Sequence, residues 1–291
     1  DERIDALGAD GAVLGWMLDR ELHGPSEFDQ LASARLVQLL SAGVDQVPFD
    51  RIPHGVPVAS NAGAYAAPMA EHVLAMTLAL AKHLPDRHAE MKVGIFDQQS
   101  LNLELRGSVV CIVGFGGIGR ASAALFRALG AHIHAVTRAG VAEDWVERAD
   151  TLDDLDVALA AADVVVLSIP LTRVTRGLIG TRSLSRMKPD AVLVNVARGA
   201  IVDETALYEH LVAHPGFRVG IDTWWDEPRG GEQFSTAHPF FDLPNVLGSP
   251  HNSGMTASAF AHATRDAAAN VARALRGEAV AHLVDRREYL G

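Results

Sequence analysis

Apolar residues in this chain gather into short, nearly continuous runs, and helical spacing fills the stretches between them. Val109–Val113 reads Val-Val-Cys-Ile-Val, residues 164–169 form a second run closed by Pro170, and residues 191–196 form a third. Such runs predict strands buried on both faces, as in a parallel sheet. Residues 132–136, 218–222 and 246–249 predict three more strands. Between them the spacing predicts a helix after Gly119 (Arg120, Ala121, Ala124, Leu125, Leu129) and others over residues 152–160, 182–187 and 205–213, the last ended by Pro215. Upstream, residues 11–14, 36–40 and 56–59 read as strands of a smaller set of βα-like units, preceded by an acidic, helix-like stretch over residues 1–7. Residues 68–84 read as a long alanine-rich helix with Pro68 near its start and Pro85 as its stop. A final helix covers residues 256–275. Strand after helix after strand means an α/β chain with a doubly wound parallel sheet, without internal repeats.

In such sheets ligands bind where strands end. That rule singles out residues 114–119, Thr137-Arg138, Pro170, Ala197-Arg198-Gly199, Asp222-Thr223 and His251. The first is Gly114-Phe115-Gly116-Gly117-Ile118-Gly119, lying between a predicted strand and a predicted helix. Gly114 permits a tight turn, Gly116 lets the backbone approach a pyrophosphate, and Gly119 lets helix and strand pack closely. The phosphates would rest on N–H groups at the positive end of the helix. The bland alternative is a glycine turn that binds nothing.

Composition narrows the field. With 48% hydrophobic and 21% charged residues over 291 positions, the chain can bury a sizeable core in about two domains. A net charge of −11 argues against non-specific binding to nucleic acid or anionic membranes. The one cysteine, Cys111, sits mid-strand, cannot form an internal disulfide and reads as a small core residue. That fits a cytoplasmic location, as does the lack of a membrane-spanning or signal-peptide pattern.

Three strand ends carry the candidate chemistry. Arg198 offers a planar fork suited to a carboxylate, or else pairs with a helix acid such as Glu204. Asp222, Asp226 and Glu227 follow another strand, and either steady an imidazolium and a nicotinamide or form a solvated acidic loop. His251 closes Ser249-Pro250-His251, either as a proton donor near neutrality or as an ordinary loop histidine, one of 13. His210 and His214 stand four apart, yet a third ligand is missing from the pattern, so they read as surface residues and no metal is expected. His132 and His134 share a strand face and read as packing residues, and His72 reads as structural.

These pieces, with Ser41-Ala42-Gly43-Val44-Asp45, Ala70-Glu71-His72, Pro170-Leu171-Thr172, Asn195 through Gly199 with Asp203, and Glu227-Pro228, run in one order over nearly the whole chain. In that order they resemble the D-isomer-specific 2-hydroxyacid dehydrogenases. The resemblance implies a Rossmann cofactor domain over residues 67–253. It also implies a smaller, flavodoxin-like substrate domain from residues 1–66 and 254–291, with a cleft between the two that closes about a hinge. It implies that His251 protonates the carbonyl oxygen of a small 2-keto acid while the nicotinamide delivers hydride. Glu227 would hold His251 protonated, and Arg198 would clamp the substrate carboxylate, whose other side meets backbone N–H groups of Ala42, Gly43 and Val44. The cofactor would lie on Gly114, Gly116, Gly117, Ile118 and Gly119, with Thr137, Arg138, Pro170, Ala197 and Asp222 completing its site. A homodimer built on the cofactor domain is the implied assembly.

Thr137 stands 18 residues past Gly119, where NAD-binding relatives carry an acid for the ribose 2′-OH. An uncharged Thr137 beside Arg138 suits a 2′-phosphate, so NADP is the expected cofactor and NAD the alternative, as in glyoxylate and hydroxypyruvate reductases. Trp224-Trp225 replaces a more usual aliphatic–aromatic pair, and Asn252-Ser253 an apolar–small pair. The first strand of such proteins is missing ahead of residues 1–14, which implies a longer natural chain. Two other readings share these motifs: a cofactor-sensing scaffold of the corepressor type, and a phosphite-oxidising relative. A formate dehydrogenase would carry Gln where Glu227 stands.

Overall fold

The computed structural model describes residues 11–15, 25–228 and 231–290, so the helix expected over residues 1–7 lies outside the described residues. In chain order the elements begin with β1 (Ala12–Gly15), α1 (Pro25–Gln30), β2 (Leu36–Leu39), β3 (Val58–Ala59), α2 (Ala66–Ala81) and α3 (Leu84–Lys92). There follow β4 (Val109–Val113), α4 (Gly117–Ala128), β5 (His132–Val136), β6 (Arg148–Asp150), α5 (Leu155–Ala161) and β7 (Val164–Leu167). The chain closes with α6 (Thr181–Leu184), β8 (Val192–Asn195), α7 (Glu204–Ala213), β9 (Arg218–Ile221), β10 (Val246–Gly248) and α8 (Ala257–Leu275). Among the described residues no helix is long and apolar enough to cross a membrane.

The chain divides into two compact units, one of Asp1–Tyr65, Thr172–Val174 and Met255–Gly291, the other of Ala66–Leu171 and Thr175–Gly254. The first holds a three-stranded sheet, β1-β2-β3, with parallel pairing. Phe28, Leu31, Val37, Leu39, Phe49 and Ile52 pack one core of this unit. Leu36 and Ala59 meet Ala274 of α8 in another.

The second unit is a seven-stranded parallel sheet in the order β10-β9-β8-β7-β4-β5-β6. The order reverses between β4 and β7, the switch point of a doubly wound sheet. Alternate residues of the central strands feed two cores, as the two-residue repeat of a strand dictates. Val110, Ile112, Val164, Val166, Val192 and Val194 pack on Val73, Met76 and Leu80 of α2 and Phe126 of α4. Cys111, Val113, Val165, Leu167 and Leu193 pack on Leu159, Leu184, Leu207 and Leu211 from α5, α6 and α7. Burial on both faces is why these strands are near-continuous apolar runs.

Two expectations need correction. Pro85 does not end the helical chain; it sits in the first turn of α3, after a left-handed His83 (φ 53°) has broken α2. A proline lacks only an N–H that the first turn leaves unpaired anyway, so it starts helices as readily as it stops them. The edge strand β6 was not expected. Its residues, Arg148, Ala149 and Asp150, are half-buried and carry no apolar pattern, and they pair only with β5.

Candidate active site

The glycine turn is held by backbone that leaves no room for side chains. Gly114 has φ +96°, and a Cβ there would stand 2.7 Å from backbone atoms of Ser168 and Ile169. A Cβ on Gly119 would collide with the Gly114 carbonyl oxygen and meet Ile112 at 3.0 Å. The Ser168 hydroxyl donates to that same carbonyl at 2.7 Å. Gly116 and Gly117 are exposed, Ile118 is half-buried, and a Cβ on Gly116 would meet nothing within 4 Å. No side chain caps α4, whose N-cap is Gly116. Open space over a turn at a helix N-terminus, on a sheet that reverses there, fits a dinucleotide phosphate.

At the end of β5 the Thr137 hydroxyl accepts the Val141 N–H (3.1 Å) and donates to its carbonyl (3.2 Å), closing a short turn. Arg138 is exposed on this turn. Glu143 pairs with Arg120 (2.6 Å) and Asp150 with Arg148 (2.6 Å). Beyond β7, the Pro170 carbonyl accepts the Thr175 hydroxyl (2.6 Å).

After β8, Asn195 shapes the turn that carries Arg198. Its Oδ1 accepts the Ala197 N–H (3.0 Å) and its Nδ2 donates to the Arg198 carbonyl (2.9 Å). The guanidinium donates to the Ala197 carbonyl (2.7 Å). Gly199 lies against backbone of Trp224 and Trp225, so close that a Cβ would overlap it. Asp203 then caps α7 by accepting the Ala206 N–H (2.8 Å).

His251 and Glu227 form the polar centre of the site. His251 Nδ1 lies 2.8 Å from Oε2 of Glu227, and both side chains are about one-third exposed, at 37% and 33%. The other oxygen of Glu227 accepts the backbone N–H of Trp224 (3.0 Å). Burial alone raises the Glu227 carboxyl. The hydrogen bond and charge of His251, the Trp224 N–H and the Arg198 charge outweigh it, and hold the group below its ordinary value. With Nδ1 committed to a carboxylate, Nε2 is the atom left to exchange a proton with a substrate.

Asp222 is fully covered. Its backbone carbonyl accepts the His251 N–H (2.8 Å). Its carboxylate accepts from Ser249 Oγ (2.5 Å), Asn252 N (3.2 Å) and Ser253 N (3.3 Å), with His72 Nε2 at 3.7 Å from Oδ1. The group expected to meet a nicotinamide carboxamide thus wraps itself in the turn that carries His251.

Trp224 and Trp225 pack inside this unit. Trp225 stacks on Phe240 at 5.3 Å, and Trp224 lies 5.0 Å from Phe234 and 5.3 Å from Phe241. Other histidines depart from expectation. His132 pairs with Glu147 (2.6 Å) at the surface instead of packing. His210 and His214 are half-buried and stacked at 4.1 Å, with Phe217 edge-on to His210. Among the described residues no group of three His, Cys, Asp or Glu side chains is placed to hold a metal ion. In the other unit, Ala42, Gly43 and Val44 follow β2; the Ser41 hydroxyl donates to the Gly43 carbonyl (2.9 Å), and Val44 is buried in that unit's core. Sequence reasoning missed Asn195, Ser168 and Ser249 as organisers, although all three flank residues it singled out.

Known proteins resemble this chain in sequence and fold. Residues 74–253 match the family described as D-isomer specific 2-hydroxyacid dehydrogenase, NAD binding domain. A D-3-phosphoglycerate dehydrogenase of Mycobacterium leprae is 34% identical over 257 residues, covering 86% of this chain and 47% of that protein. The chain therefore spans about half the length of that relative. A hydroxypyruvate reductase of Thermotoga maritima is 32% identical over 228 residues, 77% of this chain and 72% of its own. Among solved structures, a D-isomer specific 2-hydroxyacid dehydrogenase from Xanthobacter autotrophicus Py2, in complex with NADPH and MES, superposes with a TM-score of 0.82. It is 27% identical and covers 96% of this chain and 85% of its own. The doubly wound sheet, its glycine turn and these matches together make the chain a member of the D-isomer-specific 2-hydroxyacid dehydrogenase family.

Proposed function

We propose that this protein reduces a small 2-keto acid to the D-2-hydroxy acid, or runs the reverse oxidation, with a nicotinamide cofactor. The observation that carries the proposal is the 2.8 Å contact between His251 Nδ1 and Glu227, at strand ends shared with Arg198 and the glycine turn. A reduced nicotinamide, when bound, supplies hydride to the carbonyl carbon. His251 donates the proton from Nε2 to the carbonyl oxygen, and Glu227 holds the resulting imidazole in register. Arg198 leaves the Ala197 carbonyl to bind the substrate carboxylate. Gly114, Gly116, Gly117, Ile118 and Gly119 receive the pyrophosphate; Pro170 and Ala197 line the nicotinamide end. Asp222 serves that end by ordering the turn at His251, since its own side chain is covered.

NADP is our assignment for the cofactor. Thr137 brings no negative charge to the end of β5, Arg138 stands exposed beside it, and the Xanthobacter relative is complexed with NADPH. We assign a homodimer as the working assembly. Val93, Ile95, Phe96 and Leu101 are between half and almost wholly exposed on the segment after α3, more apolar surface than scattered exposure explains.

The test is the initial rate of NADPH and NADH oxidation with glyoxylate, hydroxypyruvate and a panel of other 2-keto acids, beside His251→Ala. The expected result is oxidation faster with NADPH, and a loss of ~10²-fold or more in His251→Ala. Cofactor binding without turnover of any keto acid would shift the reading to a sensing scaffold.

A further inference from the structure

Ser249 uses every hydrogen-bonding group it has. Its N–H donates to the Ile221 carbonyl (2.9 Å), and its own carbonyl accepts the indole N–H of Trp224 (2.9 Å). Its hydroxyl donates to Oδ1 of Asp222 (2.5 Å), a carboxylate that can only accept. A hydroxyl has one proton, so toward His72 Nε2, at 3.0 Å, Ser249 is the acceptor and His72 the donor. His72 reaches it from α2 across 177 positions of sequence.

Two residues on, His251 adopts φ +51°, a left-handed conformation that costs a residue with a Cβ. Such a conformation lasts only where its surroundings over-determine it. On the far side, Asp222 supplies this by binding the N–H groups of His251, Asn252 and Ser253. On the near side the support is Ser249. We propose that His72 and Trp224 are positioning residues for His251, acting through Ser249: one holds its hydroxyl and the other its carbonyl. Together they set where the imidazole stands and let Glu227 meet Nδ1 at hydrogen-bond distance. The inference rests on His251 as the proton donor.

The role of His72 does not depend on bulk. His72 is one-quarter exposed, so leucine fits in its place; glutamine restores a donor near the position of Nε2. Trp224→Phe keeps an aromatic ring in the cluster and removes the indole N–H. The experiment compares wild type, His72→Leu, His72→Gln, Trp224→Phe and His251→Ala. It reads kcat and KM for glyoxylate with NADPH, melting temperature, and amide hydrogen exchange of a peptide covering residues 249–254. For His72→Leu and Trp224→Phe we expect kcat to fall by roughly tenfold to a hundredfold with KM within about twofold, as misplacement of a reacting group predicts. Exchange should quicken in residues 249–254 in both variants, at an unchanged melting temperature in His72→Leu, and His72→Gln should recover most of kcat. Wild-type kcat and exchange in His72→Leu would overturn the proposal, as would failure of His72→Gln to rescue. If His72→Leu does not fold, Trp224→Phe decides by the same criteria. If wild type turns over no keto acid, or His251→Ala keeps its rate, the functional reading falls instead. Exchange alone then decides the brace, upheld if faster in the variants and overturned if unchanged.

Discussion

Single residues in this protein titrate according to what surrounds them, and two of them make stability fall as pH drops, each in its own window. Burial, then the nearby His214, pushes His210 down to about 4, and its Nε2 is buried without a partner. The unfolded chain takes up this proton near pH 6.5, while the folded chain resists until about pH 4. Between those values the unfolded state binds more protons, so stability falls as pH drops through that window. His210→Leu should therefore flatten the difference between urea midpoints measured at pH 7.5 and pH 5; an undiminished difference would sink the assignment. Glu227 is held below its ordinary value, so its contribution is present above the usual carboxylate range and lost as pH falls through the depressed one. In Glu227→Gln, kcat for glyoxylate should fall even at pH 7, where the wild-type group is ionised. Cys111 is a simpler case. Burial, then the charge of Asp150, pushes its thiol up to about 12. A thiol reagent should find no reactive group in the native protein and one per chain after denaturation.

At the scale of elements, the site depends on loops that pack backbone against backbone. The turn after β8 lies on the loop after β9 with Gly199 between them. Gly199→Ala places a Cβ into carbonyl and amide atoms of Trp224 and Trp225, which cannot move aside as a flexible side chain would. A loss of about 1–3 kcal/mol in urea denaturation is expected, together with a raised KM for the keto acid as Arg198 is displaced. Unchanged stability would mean that the loops are looser than this packing implies. The two tryptophans were a puzzle in the sequence. Their rings complete an aromatic cluster under the loop, and their N–H groups bond the carbonyls of Ser249 and Val202, so packing and loop anchoring explain them together.

At the scale of the whole molecule, each unit draws on distant parts of the chain. In the smaller unit, buried Asn270 of α8 donates to Gln38 Oε1 (2.6 Å) and to the Ala281 carbonyl (3.0 Å), and accepts the Ala281 N–H (2.9 Å). Asn270→Leu leaves those groups unpaired in the interior, at a cost of about 1–3 kcal/mol for a buried donor or acceptor. The α8 signal in hydrogen exchange should weaken before that of the larger unit. For assembly, Phe96→Glu and Leu101→Glu should shift sedimentation from dimer toward monomer, and a wild-type monomer would remove the proposed interface.

How far the sequence reached follows from range. Wherever one strand buries both faces, its residues are mostly apolar, so β4, β7 and β8 were legible as runs, with Asn195 at the end of β8 the polar exception, and the glycine spacing followed from the turn after β4. That Arg198, Glu227 and His251 would follow neighbouring strand ends was also legible, because parallel strands deliver their loops to one edge. Elements without a hydrophobic signature were not: β6 exists because β5 offers an edge, and α3 because a proline suits a first turn. Nor could the sequence say that His72 would meet Ser249, or that Asp222 would be sealed beneath its own turn. Local pattern is set by each residue's exposure to water, which a short stretch already encodes. Partners far apart in sequence are chosen by packing, and only the assembled tertiary structure brings them within hydrogen-bond reach.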